Sequence, residues 1–458
     1  MLPALTRYAT IPCLSPDFEP DWAQTGHLHE AARLLAGWCE ARAVPDVTAE
    51  VLTLPGRTPV VLADAPAAEG GGGTVLVYGH LDKQPALGAW REGLGPFTPV
   101  RNGDRLYGRG TADDGYAPFA AMTALEALAA RGGPRPRVVV LVEASEESGS
   151  PDLPAHLDAL AGRIGRPDLV VCLDSGCLTY DRLWLTTSLR GNVVATVTVR
   201  VLTEGVHSGS AGGVVPTSFR LLRRLLDRVE DARTGEVLLH ALRAGVPTSH
   251  RAVDPAGWEA AQSFPVVEGL HLAGETETDR LLRRAWSPAL AVTGMDGLPA
   301  VRDGGNVLRP ATTAKLSLRL PPTVDSERAA TALAEALGTD PPEGAQVEVH
   351  LDTPATGWVA PDLDPWVADA LDRASREVFA HPPGAYGEGG TIPFLAMLGV
   401  RFPGVPLVAT GVLGPGSNAH GPNEFLHLPM AEGVTVAVAH LYAATAARDG
   451  AARRDASA

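Results

Sequence analysis

The sequence predicts an α/β fold: a mostly parallel-sheet domain interrupted by an inserted α+β domain. Three observations carry this. Short apolar runs alternate with helical spacing as far as Asp174; near Ser188 the rhythm changes to strands with one wet face; an apolar run at Val405 to Val412 returns to the first pattern. A chain of 458 residues exceeds one ordinary core, so two domains are expected. The boundaries predicted are 1–187 and 359–446 for the two parts of the first domain, 188–358 for the insertion, and 447–458 for a frayed tail.

The elements follow in order. Leu28, Ala31, Leu34, Leu35 and Trp38 recur at helical spacing, predicting an amphipathic helix over residues 26–43. Gly70 to Gly73 is a loop or hairpin before the strand Thr74 to Gly79; no Gly-Lys-Ser/Thr follows, so it is not a phosphate cradle. Phe119, Met122, Leu125 and Leu128 predict a helix over 116–130, stopped by Gly132-Gly133. Strands are expected at Arg137 to Val142 and Leu169 to Leu173. In the insertion, Asn192 to Arg200, Thr313 to Leu320 and Gln346 to His350 alternate apolar with polar residues, as an antiparallel sheet with one solvated face requires. Helices are expected between them at 218–229 and 326–337. Pro354 to Pro365 reads as the return linker, before a helix over 366–378.

Composition removes several function classes. A net charge of −15, with Lys and Arg scattered, argues against a nucleic-acid partner. No uninterrupted apolar stretch is long enough to span a bilayer, so no membrane partner is expected. The first eight residues show no basic region followed by an apolar core, and a cytoplasmic location is expected. Cys13, Cys39, Cys172 and Cys177 lack C-x-x-C spacing and are expected reduced and buried.

Against that background, the acidic and imidazole residues after the apolar runs stand out. His80 and Asp82 follow one run, Glu146 and Glu147 a second, Asp174 a third; Asp113 and His420 come from Gly-rich loops at Gly108 to Gly110 and Gly414 to Gly416. In open α/β sheets, side chains just past the carboxyl ends of neighbouring strands share one crevice. Two dications a few ångströms apart need a shared anionic bridge, and Asp113 is assigned to it. One imidazole and one terminal carboxylate per metal complete the set: His80 with Asp174, and Glu147 with His420. Two metal ions per chain are therefore expected. Nitrogen and oxygen donors without cysteine suit zinc, and also admit manganese or cobalt. Asp82 is assigned to orient the His80 imidazole, and Glu146 to act as general base.

These residues carry a resemblance. Gly79-His-Leu-Asp-Lys-Gln-Pro85, Tyr107-Gly-Arg-Gly-Thr-Ala-Asp-Asp114, Glu146-Glu-Ser-Gly149 and His207-Ser-Gly-Ser-Ala-Gly-Gly213 resemble the motifs of the clan MH di-zinc peptidases. The likeness runs in order from about Thr74 to His420 and is strongest for the dipeptidase-like branch. It implies a catalytic domain interrupted by a lid or dimerisation domain. It further implies that His207 stabilises the oxyanion from the partner subunit of a homodimer, that Asn306 and Arg319 contact substrate, and that Gly389, Gly390 and Thr391 form a loop beside the substrate's C-terminal end. A cis peptide between Asp113 and Asp114 is implied too. Two departures bear on the substrate: Lys83 replaces a small apolar residue, and Gly115-Tyr116 stands where Lys-Gly is usual.

The function expected is di-zinc hydrolysis of an amide bond in a small dipeptide or N-acyl amino acid. The alternatives are an N-acetyl or N-succinyl amino acid deacylase and, in another class, a non-catalytic binding protein on the same fold. For Glu388, both shaping its glycine loop and approaching the metals are open.

Overall fold

The structure is a computed structural model, and it describes residues 1–68, 70–250 and 266–455. A six-stranded sheet runs in the order Thr48–Leu52, Val60–Ala65, Arg137–Glu143, Thr74–His80, Leu169–Cys172, Leu407–Ala409. Its first two pairings are antiparallel and its last three parallel. Thr74–His80 therefore lies between Arg137–Glu143 and Leu169–Cys172, with the carboxyl ends of all three at one edge.

Strand residues i and i+2 share a face, so a strand apolar throughout needs cover on both sides. Val75, Val77, Val138, Val140 and Val171 pack on one face, against the helices His27–Glu40, Ala117–Arg131, Pro365–Phe379 and Leu428–Asp455. Leu76, Tyr78, Val139, Leu141 and Val170 pack on the other, against Leu153–Ala159 and Pro393–Arg401. Tyr78 stacks on Phe394 there.

The second sheet is fully antiparallel, in the order Ala289–Asp296, Ala311–Leu320, Gly191–Arg200, Gln346–Leu351. Gly191–Arg200 alternates buried and partly buried residues along its length, the one-wet-face pattern read from the sequence. Its dry face packs on Ser218–Leu226 and Ser326–Gly338 in a core separate from the first. A third sheet, Trp358–Val359, Trp184–Leu189, Gly384–Glu388, lies where the chain leaves and re-enters the first unit. A fourth pairs Phe425–His427 with Arg105–Tyr107 and Val100–Asn102.

The last helix runs from Leu428 to Asp455, through the first part of the segment expected to fray. Ala and Arg are strong helix formers, so the composition read as a loose tail carries the helix on. No helix among the described residues is long and apolar enough to cross a membrane.

Candidate metal centre

Each side chain reaches the site for a local reason. His80 ends the central strand and pairs in register with Glu143 of its neighbour. Glu146 and Glu147 open a short 3-10 turn directly after that neighbour, and Asp174 follows Leu169–Cys172 by two residues. Asp113 lies in the loop before the helix Ala117–Arg131, and His420 in the loop before Phe425–His427. Pairing of Phe425 with Tyr107 sets those two loops side by side.

Asp113 lies between the two imidazoles. Its Oδ1 is 3.2 Å from His80 Nε2, and its Oδ2 is 3.1 Å from His420 Nε2. Glu147 Oε2 is 3.2 Å from His420 Nε2, while Asp174 Oδ1 is 3.9 Å from His80 Nε2. Donor atoms of His80, Glu146 and Asp174 lie within 4.8 Å of one another, and so do those of His80, Asp113 and Glu147. Glu146 is thus as close to His80 as a ligand would be. The Asp113–Asp114 peptide is cis.

Asp82 does more than the sequence indicates. Its Oδ1 is 3.4 Å from His80 Nδ1, with its own carbonyl oxygen nearer, at 3.0 Å. The carboxylate also accepts the backbone N–H of Glu146 at 3.1 Å and of Glu147 at 3.0 Å. One buried side chain therefore fixes both the imidazole and the acidic loop. Gln84 donates to Glu147 Oε2 at 2.8 Å. Glu143 accepts from Tyr78 at 2.5 Å, Ser150 at 2.8 Å and Ser145 at 3.2 Å, tying both ends of that loop to the sheet. Residue spacing gives no sign of these contacts, because they join side chains to backbone or to residues on other strands.

Five carboxylates, those of Asp82, Asp113, Glu146, Glu147 and Asp174, share this crevice with two imidazoles. Among the described residues no Lys or Arg forms an ion pair with any of them. Burial raises Glu146 well above the usual carboxylate range, with Asp174 adding, and pushes Asp174 up to about 7. For Asp113 burial is outweighed by its hydrogen bonds to His420 and His80, which hold its carboxyl below the usual range. Burial opposes a charged His80 and His420 too, but the facing carboxylates raise both. A set of oxygen and imidazole donors, mostly buried apart from the exposed His420 ring, carries surplus negative charge and fits divalent cations, which supply the missing positive charge.

The residues assigned to substrate fall into two places. Arg319 donates to Thr391 Oγ1 at 2.8 Å. In the same glycine loop the Gly389 and Gly390 carbonyls accept from Arg190, through its Nε at 2.9 Å and its backbone N–H at 3.0 Å. Glu388 is held by Arg284 at 2.5 Å, Tyr386 at 2.9 Å and the Gly389 N–H at 2.7 Å, so of its two readings the loop-shaping one fits. His207 and Asn306 lie together elsewhere, on the ribbon pairing Val206–His207 with Val307–Leu308. Both are exposed, and the His207 ring accepts from the nearby Gly209 N–H. Among the described residues no hydrogen bond or ion pair joins either of them to the acidic cluster.

Both departures from the resemblance are buried. Lys83 is fully buried, with its ammonium donating to the carbonyls of Tyr8 at 3.1 Å and Ile11 at 2.8 Å. Tyr116 is buried and donates to the Leu173 carbonyl at 2.6 Å.

The family description Peptidase family M20/M25/M40 matches residues 76–448. A cysteinylglycine-S-conjugate dipeptidase of Corynebacterium striatum is 29% identical over 375 residues, covering 78% of this chain and 79% of that protein. A Beta-Ala-His dipeptidase of Homo sapiens is 26% identical over 383 residues, covering 80% and 73%. The crystal structure of human carnosine dipeptidase 1 superposes with a TM-score of 0.78 at 20% identity, covering 97% of this chain and 95% of that one. An M20 family metallo-carboxypeptidase from Sulfolobus solfataricus superposes equally well, with a TM-score of 0.78 at 20% identity, covering 97% and 99%.

Proposed function

The chain belongs to peptidase family M20/M25/M40, and from that membership we propose that it is a di-zinc dipeptidase working as a homodimer in the cytoplasm. The observation that carries the reading is Asp113, with one oxygen facing His80 and the other facing His420. His80 and Asp174 would hold one ion and Glu147 and His420 the other, with Asp113 between them. Bound there, the ions would polarise the scissile carbonyl and acidify a water molecule.

The remaining chemistry falls to the chain. Glu146 takes the proton of the attacking water and returns it to the leaving nitrogen. Asp82 keeps Glu146 and Glu147 oriented through their backbone N–H groups. Arg319, braced by Thr391, grips the substrate carboxylate. His207 donates to the oxyanion from a second copy, and Asn306 contacts substrate beside it. A dipeptide is preferred to an N-acyl amino acid because the relatives covering most of the chain are named dipeptidases. Four free, buried cysteines agree with a reducing compartment.

Glu146→Gln tests the assignment. Turnover of a dipeptide panel should fall by at least about 100-fold, while elemental analysis still finds two zinc ions per chain. Retained turnover removes Glu146 from the role, and an intact wild type that cleaves acyl amino acids but no dipeptide replaces the substrate class.

A further inference from the structure

His80 sits on the central strand, but Asp113 and His420 lie on loops that the large sheet does not hold. What fixes them is a buried ion pair with no assigned role, Arg109 with Glu424. Arg109 is 1% exposed and Glu424 0%. Arg109 Nη1 donates to Glu424 Oε2 at 2.7 Å. The same carboxylate accepts from the backbone N–H of Gly110 at 3.1 Å, Ala112 at 3.2 Å and Asp113 at 3.3 Å. It thus ties the Asp113 loop to a residue four positions beyond His420. The guanidinium faces the opposite way with its other nitrogens: Nη2 donates to the Gly421 carbonyl at 2.8 Å and Nε to the Pro85 carbonyl at 3.1 Å.

From this we infer that Arg109 and Glu424 are positioning residues that set the distance between Asp113 and His420. The inference rests on the metal reading of the preceding subsection. A buried carboxylate surrounded by four N–H donors cannot be replaced by an amide without turning an NH2 toward one of them. The nearest slack is in the loops, since the strand below His80 is held on both sides. The cation bound by His420 and Glu147 should therefore suffer more than the one bound by His80 and Asp174.

Cobalt(II) titration of metal-free protein, followed by visible absorbance, reads the two sites as successive steps. Wild type is expected to take up two equivalents. In Glu424→Gln one step should weaken at least about tenfold, with an altered spectrum for that ion, while the other stays within a few fold. Unchanged affinities overturn the proposal. So does parallel weakening of both steps alongside a lowered melting temperature of the metal-free protein, which would mark a general structural role. If Glu424→Gln does not fold, Arg109→Lys keeps the charge and drops the forked contacts; it should show the same selective loss, and unaltered steps overturn the proposal. A wild type that binds no cobalt sinks the metal reading itself, a result distinct from these.

Discussion

Asp174 gives the metal-free protein a pH signature. Burial, with Asp113 and Glu147 adding, lifts its carboxyl to about 7 against an unfolded value of about 3.9. A raised folded pKa means that this group's stabilisation is complete below about pH 3.9 and is lost as pH rises through about 7. Asp174→Asn mimics the protonated state permanently. In metal-free protein it should gain on wild type by up to about 4 kcal/mol between pH 4 and pH 8, at about 1.4 kcal/mol per pKa unit. Urea unfolding at both pH values checks this, and parallel changes in the two proteins would refute it. Saturating zinc should reverse the order, because the cation takes over from the proton. Asp82→Asn carries a different cost, since an NH2 must then face the N–H of Glu146 or Glu147. Zinc affinity and turnover should both drop about 10- to 100-fold, measured by chelator competition and by dipeptide assay. At this scale the sequence shows the candidate ligands well: His80, Glu147 and Asp174 follow apolar runs that can only be buried strands. It hides Asp82's second contact, Gln84, Glu143 and Glu424, whose partners are backbone groups or distant loops.

Among elements, the N-terminal helix Leu2–Ala9 has a part in the site that no periodicity reveals. Tyr8 donates to the Leu81 carbonyl at 2.8 Å and Lys83 reaches back to the carbonyls of Tyr8 and Ile11, so the segment between His80 and Gln84 is clamped from the helix side. The two departures read from the sequence meet here. The stem of Lys83 fills the space beside Gly110, where an added Cβ would lie 2.6 Å from Lys83 Cε at a backbone φ of +73°. The Tyr8 ring packs so closely on Gly115 that no side chain fits. Lys83→Met keeps the volume and strands the carbonyls at the helix end, costing about 1–3 kcal/mol in urea unfolding. An unchanged midpoint would show the ammonium to be dispensable. The strands with fully buried runs were legible because burial on two faces demands uniform apolar sequence. Thr48–Leu52 and Ala289–Asp296 were not, because they are sheet edges whose residues are mostly exposed or only partly buried.

On the scale of the whole molecule, the switch from parallel to antiparallel rhythm near Ser188 was legible because the two sheets bury different numbers of faces. The junction sheet was not, since Trp184–Leu189 pairs with Trp358–Val359 and Gly384–Glu388 across long stretches of chain. That junction fixes which residues one copy can bring to its own crevice. Arg319 and Thr391 meet beside it, whereas His207 stands exposed on its ribbon opposite Val307, which is itself exposed. In the proposed reading the oxyanion imidazole, exposed on its own chain, comes from a second copy. Mixing His207→Ala with Glu146→Gln chains tests this, because each hybrid holds one site with both groups intact. Random exchange makes half the dimers hybrids with one working site of two, so activity should recover to about a quarter of wild type. The two variants should be nearly inactive alone, and the recovery should grow with time of subunit exchange. If the mixture stays at the level of its parents although exchange is complete, His207 serves its own chain, and the crevice must close within one copy by a movement of the inserted domain.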